Sequence, residues 1–357
     1  MNDKTIRITL VCPYPPPVGG IALWASRFMS ICQNYNISCS LVNTAYSNQV
    51  IFGDKNHITL FKQYKRCKRI WNDVKSSIQT NKTSLTHICI PGSPLSILRE
   101  IKTIKISKKF NSKTIVHFRS DISQSLTSKI SIILLKRISK LCDGMMLLNE
   151  RSYIYANRFC SKEKLAIIPN FILDSDFIKN SHVNKTLRKF IYVGGAVKEK
   201  GCNLILDYAK LHPEYSFTLV GNSSTEILNQ INQTSNVTLL SNKSKDEIIK
   251  LLRESDIFLF LSKYKKEGFS NAVIEAMSNG LPCIVTKWAS NEYQIGEYSN
   301  ILSIRIDNIN DLEKAVSYLS SLTNRKIISE YNLNRSKLFS ASVVMNQYYN
   351  FYSKVLK

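Results

Sequence analysis

The sequence predicts an α/β protein built from two doubly wound parallel sheets, on three observations. Short β-rich apolar runs alternate with longer stretches of helical spacing through the whole chain. The runs fall into two series, separated by a polar stretch at 174–188 that follows Ile168-Pro169-Asn170. A length of 357 residues also exceeds one ordinary core and suits two domains. The boundary is set near residue 182. This gives an N-terminal domain over 1–182, a C-terminal domain over 183–337 and a terminal helix over 338–357.

In the first series, strands are expected at 6–11, 37–42, 85–90, 114–118, 144–148 and 166–168. In the second they are expected at 190–193, 216–220, 237–240, 257–261, 283–286 and 301–304. Each is a short aliphatic or aromatic run of the kind a strand buried on both faces requires. The apolar helix at 130–135 is closed by Lys136, Arg137 and Lys140, so it falls short of the roughly 18 to 20 residues that span a bilayer. The last stretch carries Phe339, Tyr348, Tyr349, Phe351 and Tyr352, a large aromatic load for one helix.

At 44% hydrophobic and 21% charged, the composition is globular rather than disordered. The nine cysteines show neither C-x-x-C pairs nor zinc-type spacing with His, which points to reduced, packing thiols in a cytosolic protein. No metal site is expected. The opening MNDKTIRITLVCPYP enters a strand almost at once and lacks the regions of a signal peptide, so secretion is not expected. The net charge of +23 is uneven: residues 1–184 carry 27 Lys and Arg against 10 Asp and Glu, the remainder 22 against 16. With neither zinc-finger spacing nor an RNA-binding aromatic motif, this excess suggests an anionic surface or acceptor and not a nucleic acid.

Residues 267–283, EGFSNAVIEAMSNGLPC, carry the chemistry. A buried strand leads into the loop Glu267-Gly268-Phe269-Ser270-Asn271, and a helix starting near Ala272 is stopped by Gly280-Leu281-Pro282. The unpaired amides of a first helical turn favour a phosphate. Glu267 and Glu275 are then best explained as acceptors for hydroxyl groups, such as those of a sugar and a ribose flanking a diphosphate.

This block resembles the nucleotide-sugar signature of glycosyltransferase family 4, whose members are retaining enzymes of the GT-B fold. The resemblance implies two Rossmann-like domains facing across a cleft, with the C-terminal helix returning to the N-terminal domain. It implies that Glu275 accepts from the ribose and Glu267 from the donor sugar, beside the amides of Gly268, Phe269 and Ser270, with the helix after Asn271 facing the diphosphate. Tyr192-Val193-Gly194-Gly195-Ala196-Val197-Lys198-Glu199-Lys200-Gly201 matches the family's strand, glycine turn and Lys-Gly helix start, which sets Lys200 on the donor phosphates. Gly221, in Val220-Gly221-Asn222, matches the glycine turn near the base, and Glu292 another frequent Glu. Pro15-Pro16-Pro17-Val18-Gly19-Gly20 stands where the family's Gly-rich loop does, so Gly19 and Gly20 are expected at the diphosphate. His117 ends a strand where the family places a His near the donor sugar; His87 matches a more structural position, and Arg119 and Asp121 are candidates for the acceptor side.

One departure stands out. Many relatives have an Arg directly after the first glycine of the second-domain turn, where this chain has Gly195. The missing guanidinium contact is worth roughly 1.5 to 3 kcal/mol. Either Lys198 or Arg119 compensates, or donor affinity is weaker, or the protein is a non-catalytic sugar-nucleotide or glycan binder of the same fold.

The expected function is a retaining, metal-independent transfer from a nucleoside-diphosphate sugar to a glycan or polyprenyl-diphosphate-linked acceptor, in the assembly of surface polysaccharide or glycolipid. His117, Glu267 and Lys200 are its catalytic candidates, and no cofactor is expected beyond the sugar nucleotide as co-substrate. Lys62, Lys65, Arg66, Lys68 and Arg69 alternate with aromatic and apolar residues, and this basic amphipathic stretch is expected on the acceptor or membrane side. The expected location is cytoplasmic, peripheral on an anionic membrane face.

Overall fold

The computed structural model describes residues 5–16, 19–45, 60–178 and 183–357. It divides into two compact units: unit 1 comprises Met1–Asn170 with Ser342–Lys357, and unit 2 comprises Phe171–Ala341.

Unit 1 holds a parallel sheet of β1 (Ile6–Cys12), β2 (Ile37–Asn43), β3 (Leu85–Ile90), β4 (Lys113–Phe118), β5 (Gly144–Leu147) and β6 (Leu165–Ile167), in the order β2-β1-β3-β4-β5-β6. Every residue of β3 is buried, as a strand covered on both faces demands. The chain steps outward from β1 to β2 and then back across to β3. With right-handed crossovers, the helix Gly20–Ile31 therefore covers one face, and the helices Leu60–Asn81, Pro94–Lys109 and Lys129–Leu141 cover the other. The second face is aliphatic, with Ile70, Val74, Ile97, Ile104, Leu135 and Ile138 in one cluster. The first face is aromatic. There Phe28 and Trp24 pack against Tyr348 of the terminal helix Ala341–Leu356, with ring centroids 5.4 and 6.0 Å apart. A buried Phe28 alone contributes roughly 1.5–3 kcal/mol.

Unit 2 holds β7 (Lys189–Val193), β8 (Ser216–Val220), β9 (Val237–Leu240), β10 (Ile257–Phe260), β11 (Cys283–Thr286) and β12 (Ser303–Ile304), ordered β12-β11-β10-β7-β8-β9 and again parallel. Read from β9, this is the Rossmann order, and the chain direction reverses between β7 and β10. In unit 1 the reversal lies between β1 and β3. Ligands of such sheets bind beyond the carboxyl ends of the strands at the reversal.

Three expectations about boundaries need adjustment. Residue 182 lies outside the described residues, and the division itself comes earlier, because Phe171 and Ile172 are already buried in unit 2, where Ile172 bridges to Ser340. The terminal segment joins unit 1 only from Ser342, since Phe339 stays in unit 2 with its ring edge-on to Phe269 at 5.1 Å. The last strand is shorter than 301–304, because Ile301 and Leu302 complete a helical turn, Ser299–Leu302, before the chain extends. Among the described residues, no helix is long and apolar enough to cross a membrane.

Candidate functional site

The unit 2 site forms at the reversal, from the turn after β7 and the loop after β10. The turn after β7 holds Gly194 and Gly195. Gly194 N donates to Val220 O at 2.9 Å and Ala196 N to Asn222 O at 2.8 Å, which binds this turn to the one after β8. The fit requires Gly221, which has φ +140°: a Cβ there would lie 2.1 Å from the Gly194 carbonyl oxygen. Gly195 is different, since a Cβ on it would meet only Asn222 O, at 4.0 Å. Its turn leaves room for a side chain.

A short turn, Lys198–Lys200, follows, and Gly201 at φ +78° starts the helix Cys202–Leu211. No other residue fits at 201, because a Cβ would sit 2.0 Å from Leu261 O. This close approach carries Lys200 beside the end of β10. Its Nζ hydrogen-bonds to Glu267 Oε2 and lies 5.0 Å from the centre of the Tyr264 ring. Glu267 is tied further by Ser262 Oγ at 3.4 Å, and its own N–H donates to Tyr264 O at 2.9 Å. The two side chains remain 21% and 11% exposed, so the pair is sheltered yet reachable.

The helix Asn271–Ser278 starts just beyond, with Ser270 as N-cap accepting from Val273 N at 3.3 Å. Its first turn carries no acidic residue, so its positive end is not neutralised locally. Glu275 is one turn in and partly exposed. Of the loop amides expected at the donor, that of Ser270 is engaged internally. Gln294 accepts from Ser270 N at 3.2 Å and donates to Ser270 O at 2.8 Å, while Ser290 Oγ donates to Gly268 O. Phe269 is buried against Phe339. Gln294 and Ser290 therefore hold the loop in shape, and sequence reasoning missed both. Their only local signal was the neighbouring Glu292, which is exposed and accepts from Ser303 Oγ at 3.3 Å.

In unit 1, Gly19 is the N-cap of the helix Gly20–Ile31, at the reversal beyond β1; both glycines are exposed, and a Cβ on either would meet nothing within 4 Å. Pro17 and Val18 of this loop lie outside the described residues.

His117 is fully buried at the end of β4 and belongs to a chain of side chains. Arg119 Nη1 lies 3.1 Å from His117 Nε2, His117 Nδ1 lies 3.2 Å from His87 Nε2, and His87 Nδ1 lies 2.5 Å from Tyr352 Oη. A guanidinium only donates, and of its two contacts with the ring the one to Nε2 is shorter than the 3.5 Å one to Nδ1; with His117 neutral, Arg119 then donates to Nε2 of His117, whose Nδ1–H donates to His87, whose Nδ1–H donates to Tyr352. Burial, then the Arg119 charge, then His87 hold the His117 pKa well below the ordinary histidine value, in keeping with a neutral ring. His87, Cys89 and His117 also place three ligand-type atoms within 4.8 Å of one another. Arg119 completes its contacts with Asn170 Oδ1 and stacks over the Trp24 ring at 4.2 Å. Asp121 caps the short helix Ile122–Ser125 through Ser123 N at 2.9 Å.

Of the basic stretch on the helix Leu60–Asn81, Lys62, Lys65, Lys68 and Arg69 are exposed. Arg66 is half-buried and donates to the Thr44 carbonyl, a tie to the end of β2.

Residues 174–335 match the family model described as glycosyl transferases group 1. An uncharacterized glycosyltransferase of Methanocaldococcus jannaschii is 29% identical over 262 residues, 66% of this chain and 63% of that protein. The UDP-Gal:alpha-D-GlcNAc-diphosphoundecaprenol alpha-1,3-galactosyltransferase of Escherichia coli is 24% identical over 199 residues, 49% of each chain. The matches thus span about half to just under two thirds of these curated relatives. Among solved structures, sucrose-phosphate synthase from Thermosynechococcus elongatus superposes with a TM-score of 0.79 at 15% identity, covering 98% of this chain and 99% of that one. The chain therefore has the GT-B fold, and its residues 174–335 are similar to the glycosyl transferases group 1 family.

Proposed function

We propose that this protein is a glycosyltransferase that moves a sugar from a nucleoside-diphosphate sugar onto a glycan or lipid-linked acceptor, with retention of configuration and without a metal. The carrying observation is the Lys200–Glu267 pair at the reversal of the unit 2 sheet. A diphosphate beside Lys200 draws its ammonium, and the first-turn amides of Asn271–Ser278 add a second source of positive potential. Charge on the departing nucleoside diphosphate is then met by protein groups. Glu267 accepts from donor-sugar hydroxyls and Glu275 from the ribose. The acceptor hydroxyl attacks the face of the sugar from which the diphosphate leaves.

Unit 1 takes the acceptor, and the amides of Gly19 and Gly20 at the start of its first helix are suited to a phosphate. His117, expected at the donor sugar, is buried, so its proposed role is to orient Arg119 and not to touch substrate. The galactosyltransferase relative acts on a diphosphoundecaprenol-linked sugar, which supports a lipid-linked acceptor and an anionic membrane face as its setting. A second reading, binding without transfer, is favoured by Gly195 in the position of the family's Arg.

The test is calorimetric binding of UDP, GDP, ADP and dTDP in EDTA, with Glu275→Ala as control, followed by assay of sugar-nucleotide turnover with lipid-linked acceptors. Selective binding lost in the control, with an α-configured product from an α-configured donor, supports transfer. Binding with no turnover on any acceptor selects the second reading, and absence of binding removes both.

A further inference from the structure

Three helices of unit 1 share a feature that the reading above does not use. Leu60–Asn81, Pro94–Lys109 and Lys129–Leu141 lie side by side on one face of the sheet, and each starts beyond the carboxyl end of a strand. Each opens with an exposed apolar pair three residues apart: Phe61 and Tyr64, Leu95 and Leu98, Ile130 and Ile133. All six side chains are 50–77% exposed. Residues three apart share a helix face, and helical side chains lean toward the N-terminus. The pairs therefore form a row along one edge of the unit. With helices packed 8–10 Å apart, it is roughly 20 Å long. Exposed Leu and Ile are ordinary singly, but three matched pairs at one edge make a patch.

Charge identifies the occupant. The three helices carry 15 Lys and Arg against two acids, Asp73 and Glu100, and Glu100 is buried against Arg99. Lys62, Lys65 and Lys129 stand among the apolar pairs, with Lys65 Nζ 4.5 Å from the centre of the Phe61 ring. A second copy would bring the same positive face against itself. A polyanion without an apolar phase would leave the six side chains in water. We infer that this edge inserts into the headgroup layer of an anionic bilayer, with the apolar row at the acyl boundary and the lysines on lipid phosphates. The inference deepens the lipid-linked acceptor reading and rests on it only for the purpose the docking serves.

The test is co-sedimentation of the full chain with vesicles of phosphatidylcholine alone or of equal parts phosphatidylcholine and phosphatidylglycerol, at low and physiological salt. The parent is compared with a combined Leu95→Ser, Leu98→Ser, Ile130→Ser, Ile133→Ser variant, whose fold is checked by circular dichroism and nucleotide binding. We expect the parent to bind the anionic vesicles and the variant's partition coefficient to fall by roughly tenfold or more. A parent that ignores anionic vesicles at low salt overturns the inference. So does a variant that partitions like the parent, which would leave charge alone as the attraction, or a parent dimer that the variant abolishes. Vesicle binding without nucleotide binding would sink the transferase reading and leave the docking edge standing.

Discussion

The ammonium of Lys200 is hydrogen-bonded to Glu267 Oε2, joining the turn after β7 to the loop after β10 across the reversal of the unit 2 sheet. In the proposed reaction the two groups have opposite duties toward a sugar nucleotide, phosphate for one and hydroxyls for the other. Each also holds the other in place until the donor arrives. Glu267→Gln weakens that hold, so nucleoside-diphosphate binding should stay level or tighten while turnover falls. Lys200→Ala should weaken nucleotide binding and lower kcat by about 10²–10³-fold, the usual effect of removing a preorganised group at developing charge. Calorimetry beside steady-state kinetics checks both, and a parallel loss of binding in Glu267→Gln would remove this account of the pair.

Gly195 and Gly221 separate backbone need from side-chain absence. Gly195→Arg meets open space, since only Asn222 O lies near its Cβ position, at 4.0 Å. It should fold normally and tighten nucleoside-diphosphate binding about tenfold, as one charge-assisted hydrogen bond of roughly 1.5–3 kcal/mol allows. Gly221→Ala, by contrast, drives a methyl to 2.1 Å from Gly194 O at φ +140°. It should destabilise unit 2 by at least the 1–2 kcal/mol of an unfavourable backbone conformation and displace the glycine turn. Denaturant titration with nucleotide binding reads both outcomes.

These glycines also show what was legible in the sequence. Strand positions were, because a run such as Ser216–Val220 or Leu85–Ile90 has no other way to be buried, whereas Ile301 and Leu302 were not, because two apolar residues fit a helical turn as well as a strand. Lys200, Glu267 and Glu275 stood in a contiguous motif. Gln294 and Ser290 did not: they act on the backbone of residues more than 20 positions away, which no local pattern encodes. The environment of Arg119 was hidden for the same reason, since Trp24, His87 and Tyr352 come from three separate elements.

Tyr352 is the last acceptor of the chain that begins at Arg119, and it brings the terminal helix onto β3. Tyr352→Phe leaves the buried His87 Nδ1–H with no acceptor. The expected cost is about 1–3 kcal/mol, the desolvation penalty of one orphaned buried donor. Because the tautomers of both histidines depend on this terminus, the Nδ1 and Nε2 resonances of His117 should shift in ¹⁵N spectra of the variant. A variant as stable as its parent, with an unchanged His117 spectrum, would show that the relay has no direction.

His117 gives unit 1 a pH dependence whose sign follows from its surroundings. Arg119 and His87 face the ring directly, Trp24 lies edge-on at 5.6 Å and Tyr348 at 6.0 Å, and the ring is fully buried. No carboxylate faces the ring in these contacts to favour imidazolium. Its folded pKa is depressed, chiefly by burial and next by Arg119. The unfolded chain therefore takes up a proton below the ordinary value of about 6.5 while the folded state does not. Stability from this group is complete above that pH and is lost as pH falls below it, by about 1.4 kcal/mol per pH unit until the folded ring itself titrates. His117→Gln keeps an acceptor for Arg119 and a donor for His87 but cannot titrate. Urea titrations at pH 7.5 and 5.5, with parent and variant compared as a difference of differences, should show the parent losing more stability than the variant, by at most roughly 1–1.5 kcal/mol. Equal losses would mean that the folded ring titrates as the unfolded one does, and a smaller loss in the parent would mean that His117 is already protonated in the folded protein; in either case the donor order from Arg119 to Tyr352 would fall.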